Sequence, residues 1–256
     1  MRFAADSAGM TIAQLSSPDV QVLQQVLHGR AVQVAFQPVV QLQDGLVRGY
    51  EALARFDRDH FASPVQAFAA ANAAGLGVQL ELLAIQRAFE RLDDMPAGAW
   101  LSVNLSVEAV LTPAVIALLM THAHRGITVE LTEHTQVDDY EVLTETTDRL
   151  RAAGILIAVD DAGAGFASLS HILQLRPDII KLDIALVRDI DTDPIRAALA
   201  RALASFARDM GTQLIAEGIE THAEHEKLRS LGVGLGQGYY MARPGPLPSR
   251  HIEPLL

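Results

Sequence analysis

Short apolar, β-branched runs alternate with longer Ala/Leu-rich stretches of helical period from near residue 20 almost to the end of the chain. The runs at 34–40, 47–56, 99–106, 127–133, 155–161, 178–183, 212–219 and 234–240 have the length and composition of strands. Helical spacing marks 64–74, 77–94, 107–122, 138–153, 167–174, 194–210 and 221–230 between them. The best defined is 194–210: Asp193 is placed to cap it and Pro194 fits its first turn. Ile195, Leu199, Ala202, Leu203, Phe206 and Met210 form an apolar stripe predicted to face the core. Eight strands with interleaved helices in 256 residues is the inventory of an α/β protein of the (β/α)8, or TIM-barrel, type. One connection departs from that plan. Only Gln41 to Leu46 join the first two strands, with Asp44-Gly45 as the turn dipeptide, and a parallel crossover needs a dozen residues or more. The expectation is therefore a modified (β/α)8 barrel with an antiparallel first strand. A helical stretch over about 18–27 precedes it. Residues 1–17 read as an N-terminal extension and 18–256 as one domain, because no Pro/Ser-rich linker divides the chain.

Composition narrows the function. Twenty Lys plus Arg face 31 Asp plus Glu, a formal net charge of −11, which disfavours a nucleic-acid polymer as partner. The absence of cysteine excludes disulfides and thiol catalysis. No apolar run reaches the ~18 residues of a membrane span, and residues 1–16 lack the basic start and apolar block of a signal peptide. The expectation is a cytoplasmic protein with no membrane partner.

Polar residues on the strands carry the chemistry. Glu51, Asn104, Glu130, Asp160 with Asp161, Lys181, Glu217 and Gln237 each interrupt an otherwise apolar run. A lone acid at a strand end is commonly a helix cap or a surface residue, but several acids buried in one barrel without compensating cations would be prohibitively costly. Active sites of this architecture lie at the C-terminal ends of the strands, where these residues would converge. Oxygen donors select hard cations such as Mg²⁺ or Mn²⁺ over zinc. Asp160 and Asp161 are adjacent, so both would reach one site only where the strand ends and the chain bends, which Gly163 and Gly165 permit.

The same positions resemble the EAL-domain phosphodiesterases that hydrolyse cyclic di-GMP. The signature stands as Glu51-Ala52-Leu53 with Arg55 two positions on, preceded by Phe36-Gln37-Pro38. Val103-Asn104-Leu105-Ser106, Glu130-Leu131-Thr132-Glu133 and Asp160-Asp161-Ala162-Gly163-Ala164-Gly165 follow in the family's order. Lys181-Leu182-Asp183, Glu217-Gly218-Ile219-Glu220 and Gln237-Gly238-Tyr239 with Arg243-Pro244 complete the set.

The resemblance implies metal ligation by Glu51, Asn104, Glu130, Asp160 and Asp161, with Glu217 in or beside the metal shell. It implies catalytic roles for Lys181, Glu217, Gln237 and Glu51, and substrate contacts by Gln37, Leu53, Arg55 and Asp183. Two Mg²⁺ or Mn²⁺ ions about 3.5–4 Å apart would serve as cofactors, with cyclic di-GMP as substrate and linear pGpG as product. Arg55 suits the substrate, because its planar fork pairs two phosphate oxygens. Tyr239 or Pro244 could offer a flat face to guanine. Glu133 is the residue expected to tether the loop after the aspartate pair, and a homodimer coupled through Ala162 to Ser168 is expected. The loop departs from the family's D-D-F-G-T-G at Ala162 and Ala164, neither of which replaces a ligand.

Two other functions fit the residues. One is a catalytically silent EAL module that binds the dinucleotide or a protein; the complete ligand set argues against it. The other is an enolase-like barrel using Lys181 as base, against which Arg55 and the paired aspartates favour phosphoryl chemistry. His222 and His225 lie on a polar helix and read as a solvated face, and Gly232 to Gly238 lacks the spacing of a dinucleotide fingerprint.

Overall fold

The computed structural model of the chain describes residues 17–131, 139–162 and 172–247. Helix α1 (Ser17–Gly29) leads into β1 (Gln33–Gln41) and β2 (Val47–Arg55), which form an antiparallel hairpin. Its turn is closed by Asp44, whose carboxylate accepts from the Leu46 N–H, and by Gly45 at a φ of 69°. Helices α2 (Pro64–Ala73) and α3 (Gly77–Phe89) precede β3 (Trp100–Leu105). Then come α4 (Val107–Val110), α5 (Pro113–His122), β4 (Ile127–Leu131), α6 (Tyr140–Ala152) and β5 (Leu156–Ala162). Residues 172–175 are helical (α7), followed by β6 (Ile179–Leu182), α8 (Ile184–Val187), α9 (Pro194–Met210), β7 (Gln213–Ala216), α10 (His222–Ser230) and β8 (Leu235–Gly236). The eight strands close in sequence order, β8 pairing back onto β1. The modified (β/α)8 barrel with a reversed first strand is thus the observed fold.

Strand alternation divides two cores. Leu101, Val103, Ile127, Val129, Ile157, Val159, Ile180 and Leu182 face outward and pack under the helices. Val39, Ala158, Ile179 and Ile215, with Trp100, Leu156 and Leu235, fill the lumen. Trp100 explains Gly49, its register partner: a Cβ on Gly49 would lie 2.4 Å from the indole. Above this apolar plug the inward positions turn polar.

The helices hold one correction. In α9, Asp193 caps the backbone N–H groups of Ile195 and Arg196, as its position suggests. The buried face, however, is Ala197, Ala200, Ala204 and Ala207. Ile195 is 79 % exposed and Met210 50 %, Leu199 and Ala202 are also exposed, and only Leu203 and Phe206 pack partly on the core. Small side chains let a helix approach the sheet closely, so the alanine row wins the inward position over the bulkier stripe beside it. Pro113 splits the stretch 107–122 in two, because Thr112 before it is extended and begins a new helix. The eighth strand stops at Gly236. Gly238 then lies against the backbone of Ile219, whose oxygen would be 2.1 Å from an added Cβ.

Candidate active site at the barrel mouth

The inward polar residues meet at the C-terminal end of the barrel. Register places Gln37 opposite Glu51, Glu51 beside Ser102, and Asn104 beside Glu130. Between the pairs Val159–Ile180 and Ala162–Leu182, β5 has two residues, 160 and 161, where β6 has only Lys181. This bulge bends β5 at the aspartate pair. The side chain of Asp161, and all of Glu133, lie outside the described residues.

Lys181 is the hub. Its side chain is 1 % exposed, and Nζ lies 2.6 Å from Glu130 Oε2 and 2.6 Å from Glu217 Oε1. Glu51 and Asp160 stand 3.6 and 3.7 Å away. Asn104 Nδ2 donates to Glu51 Oε1 at 2.9 Å, and Gln237 Nε2 donates to Glu51 Oε2 at 2.7 Å and Glu217 Oε1 at 3.1 Å. Glu51 is therefore held at both oxygens.

The electrostatics follow from this geometry. Burial alone would push Lys181 toward neutrality, but Glu130, Glu217, Glu51 and Asp160 together hold its pKa well above the ordinary value. Burial also dominates for Glu130, which rises to about 8 although Lys181 opposes it, with Glu51 and Asp160 adding to the rise. Burial likewise raises Glu217. Glu51 goes the other way: Lys181 and the amides of Gln237 and Asn104 outweigh its burial and lower it. Four carboxylates share one ammonium, so the cluster carries an excess of negative charge that protons or cations must meet.

The donor set fits a hard divalent cation. Carboxylates line a cavity of about 340 Å³ with Gln37, Lys181, Gly218, Gln237 and Tyr239. Gln237 Oε1 is buried with no hydrogen-bond partner while its nitrogen serves two carboxylates. An orphaned amide oxygen among carboxylates is a vacant acceptor for a cation or a water bound to one.

The remaining expected contacts divide. Gln37 lines the cavity and donates to the Ala242 carbonyl at 3.3 Å. Leu53 and Arg55 continue β2 beyond Glu51, outside the cavity lining, and Arg55 donates to the Ala54 carbonyl at 2.9 Å. Asp183 caps α8, accepting from the Ala185 N–H at 2.7 Å. Sequence reasoning missed Ile184, the lining residue that follows this cap, and the guanidinium of Arg243, which covers Tyr239 at 4.2 Å from the ring centroid. The juxtaposition of Tyr239 and Arg243 at spacing i, i+4 outside a helix left no signal in the pattern.

Known proteins resemble the chain in both sequence and fold. The family model described as "EAL domain" matches residues 20–244. A protein of Escherichia coli named "Probable cyclic di-GMP phosphodiesterase PdeB" is 32 % identical over 236 residues, 88 % of this chain and 45 % of that protein. "Probable cyclic di-GMP phosphodiesterase PdeG", also of Escherichia coli, is 26 % identical over 241 residues, 90 % of this chain and 48 % of that protein. The chain thus spans about half the length of these relatives. BlrP1 of Klebsiella pneumoniae, solved in a calcium and cyclic di-GMP complex, superposes with a TM-score of 0.75 at 32 % identity, covering 85 % of this chain and 56 % of that one. An EAL-domain protein of Listeria monocytogenes shares the fold with a TM-score of 0.78 at 21 % identity, over 91 % of this chain and 95 % of that one. With the signature strand, the reversed hairpin and the family match coinciding over most of its length, the chain belongs to the EAL-domain family.

Proposed function

We propose that the chain is a metal-dependent phosphodiesterase that hydrolyses cyclic di-GMP to linear pGpG in bacterial signalling. The carrying observation is the convergence of four carboxylates, two amides and one lysine at the barrel mouth, where Glu51, Asp160, Glu217, Gln237 and Lys181 line the cavity. Relatives named for this activity support the substrate. Glu51, Asn104, Glu130, Asp160 and Asp161, with Glu217, would hold Mg²⁺ or Mn²⁺, which when bound polarises the phosphate and acidifies water.

The chain's own groups have distinct parts. Gln237 and Asn104 fix both oxygens of Glu51. Lys181 holds Glu130 and Glu217 in place and presents a cation where negative charge develops on the phosphate. Gln37, Leu53 and Arg55 meet the dinucleotide along the first hairpin, with Asp183 on the opposite rim. Water oxygen bonds to phosphorus, the P–O3′ bond breaks, and the 3′ oxygen leaves with a proton. We further infer that residues 18–256 form the working unit, that it acts in the cytoplasm, and that it works as a homodimer with Glu133 tethering the loop after the aspartates. Among the described residues no helix is long and apolar enough to cross a membrane.

Incubation of the chain with cyclic di-GMP and Mg²⁺ or Mn²⁺, followed by product identification, tests this. The expected result is pGpG, with turnover suppressed by Ca²⁺ or EDTA. Ca²⁺ takes longer bonds and more ligands than Mg²⁺. Tight dinucleotide binding without product under every cation would establish the silent-module alternative instead.

A further inference from the structure

The first turn of α10 carries a cluster that the phosphodiesterase reading does not use. His222, His225 and Glu226 stand at i, i+3 and i+4, on one face of the helix. A ring nitrogen of each histidine and a carboxylate oxygen of Glu226 all lie within 4.8 Å of one another. Among the described residues this is the only such trio of His, Asp or Glu. It corrects the expectation of a solvated face for His225, which is 9 % exposed, whereas His222 is exposed as expected.

Five details describe how the trio is held. Nδ1 of His225 is buried without a hydrogen-bond partner; Glu226 Oε1 is 3.3 Å away but not in hydrogen-bonding geometry. A buried ring nitrogen left in that state is unfavourable unless something meets its lone pair or proton. The His222 and His225 rings lie nearly parallel, 6.3 Å between centroids. Nδ1 of His222 is 2.9 Å from the Tyr240 hydroxyl, the kind of outer contact that fixes the ring of a metal-binding histidine. Glu226 is also oriented, its other oxygen paired with Arg229 at 2.6 Å. The turn beneath is rigid: Thr221 and Glu224 form a capping box, and Glu224 further accepts from the N–H groups of Glu220 and Asp189.

We propose that His222, His225 and Glu226 form a second cation site, separate from the carboxylate cluster at the barrel mouth, that takes Zn²⁺ or a similar borderline divalent ion. Two imidazoles and one carboxylate, with water completing the shell, match the donor preference of zinc rather than magnesium. The site's place gives it a role. His222 follows the segment bearing Glu217 by five residues, and Tyr240 follows Gln237 by three. Those two segments are already joined, Ile219 N–H donating to the Gln237 carbonyl at 3.1 Å and Tyr240 N–H to the Ile219 carbonyl at 2.9 Å. A bound ion orders α10 and, through His222 and Tyr240, the backing of Glu217 and Gln237.

The test is a Zn²⁺ titration against a chromophoric indicator with Mg²⁺ in large excess, so that hard-cation positions are filled. Wild type is expected to retain one equivalent of Zn²⁺, and its melting temperature to rise by about 5 °C at a hundredfold excess over Kd. His222→Ala, at an exposed position, and Glu226→Gln should each weaken binding tenfold or more and lose the rise in melting temperature. Binding by wild type and both variants with equal affinity would place the ion elsewhere and overturn the proposal. So would the absence of Zn²⁺ binding up to about 100 μM. Neither outcome depends on hydrolysis, so the proposal stands or falls apart from the phosphodiesterase reading.

Discussion

The barrel mouth and the first turn of α10 gather candidate cation ligands by opposite routes. At the mouth, residues from six strands are brought together by barrel closure, and Lys181 stands among four carboxylates that would otherwise repel one another. On α10 one helical turn supplies all three donors, with no lysine in their midst and the ligand atoms within 4.8 Å. The mouth is a charged assembly organised around its own internal cation. The α10 trio is compact and locally encoded, suited to holding one ion. Long-range assembly gives a site many handles for tuning, while short-range assembly gives it order at little conformational cost.

The largest expected effect separates the two most sharply. Glu51→Ala and Asp160→Asn should each reduce cyclic di-GMP turnover below about one-hundredth of wild type, read from initial rates, with the fold intact by circular dichroism. A variant retaining more than a tenth would remove that residue from the cation shell. Next comes the internal cation. Lys181→Met should destabilise the metal-free protein by about 3 kcal/mol, since it strands buried carboxylates without their partner. Added Mg²⁺ should recover part of that loss, as measured by denaturant unfolding with and without EDTA. Equal stability in both states would mean that protons already neutralise the cluster. The proposed loop tether ranks below these: Glu133→Ala should weaken Mg²⁺ or substrate affinity by about 10–100-fold without abolishing turnover, measured by titration. The smallest effect belongs to α10. Thr221→Ala removes the capping hydroxyl and should cost about 1 kcal/mol in unfolding free energy, with turnover in Mg²⁺ unchanged.

Much of this was legible before the structure. All eight strands lie within or next to their expected ranges because barrel strands are short, apolar and punctuated by turn residues. The reversed hairpin followed from six connecting residues and an Asp-Gly pair. The mouth was legible for a complementary reason: charged residues inside buried strands are anomalies that composition alone exposes. What escaped depends on which of two neighbouring surfaces packs inward. The helical wheel of α9 favours Ile195, Leu199 and Met210 by size, yet the sheet takes the alanine row. His225 escaped similarly. Its neighbours in sequence are polar, and its burial comes from the Tyr240 segment, which approaches only after the barrel closes.

Reversal of β1 also decides how the barrel is wired to whatever adjoins it. In a regular (β/α)8 barrel the first strand enters from the face opposite the active site. Here Gln33 pairs with Arg55 at the mouth, so the polypeptide comes in beside the cavity. After β8 the chain returns along the same strand, where Phe36 and Gly245 exchange backbone hydrogen bonds at 2.7 and 3.1 Å. The outgoing segment is therefore hydrogen-bonded to the incoming strand itself, on the mouth side of the barrel. A pull or twist applied to either would be felt first at β1, the strand that carries Gln37 against Glu51. The topology makes the rim of the site the natural place for mechanical coupling, with no need to transmit anything through the apolar plug below.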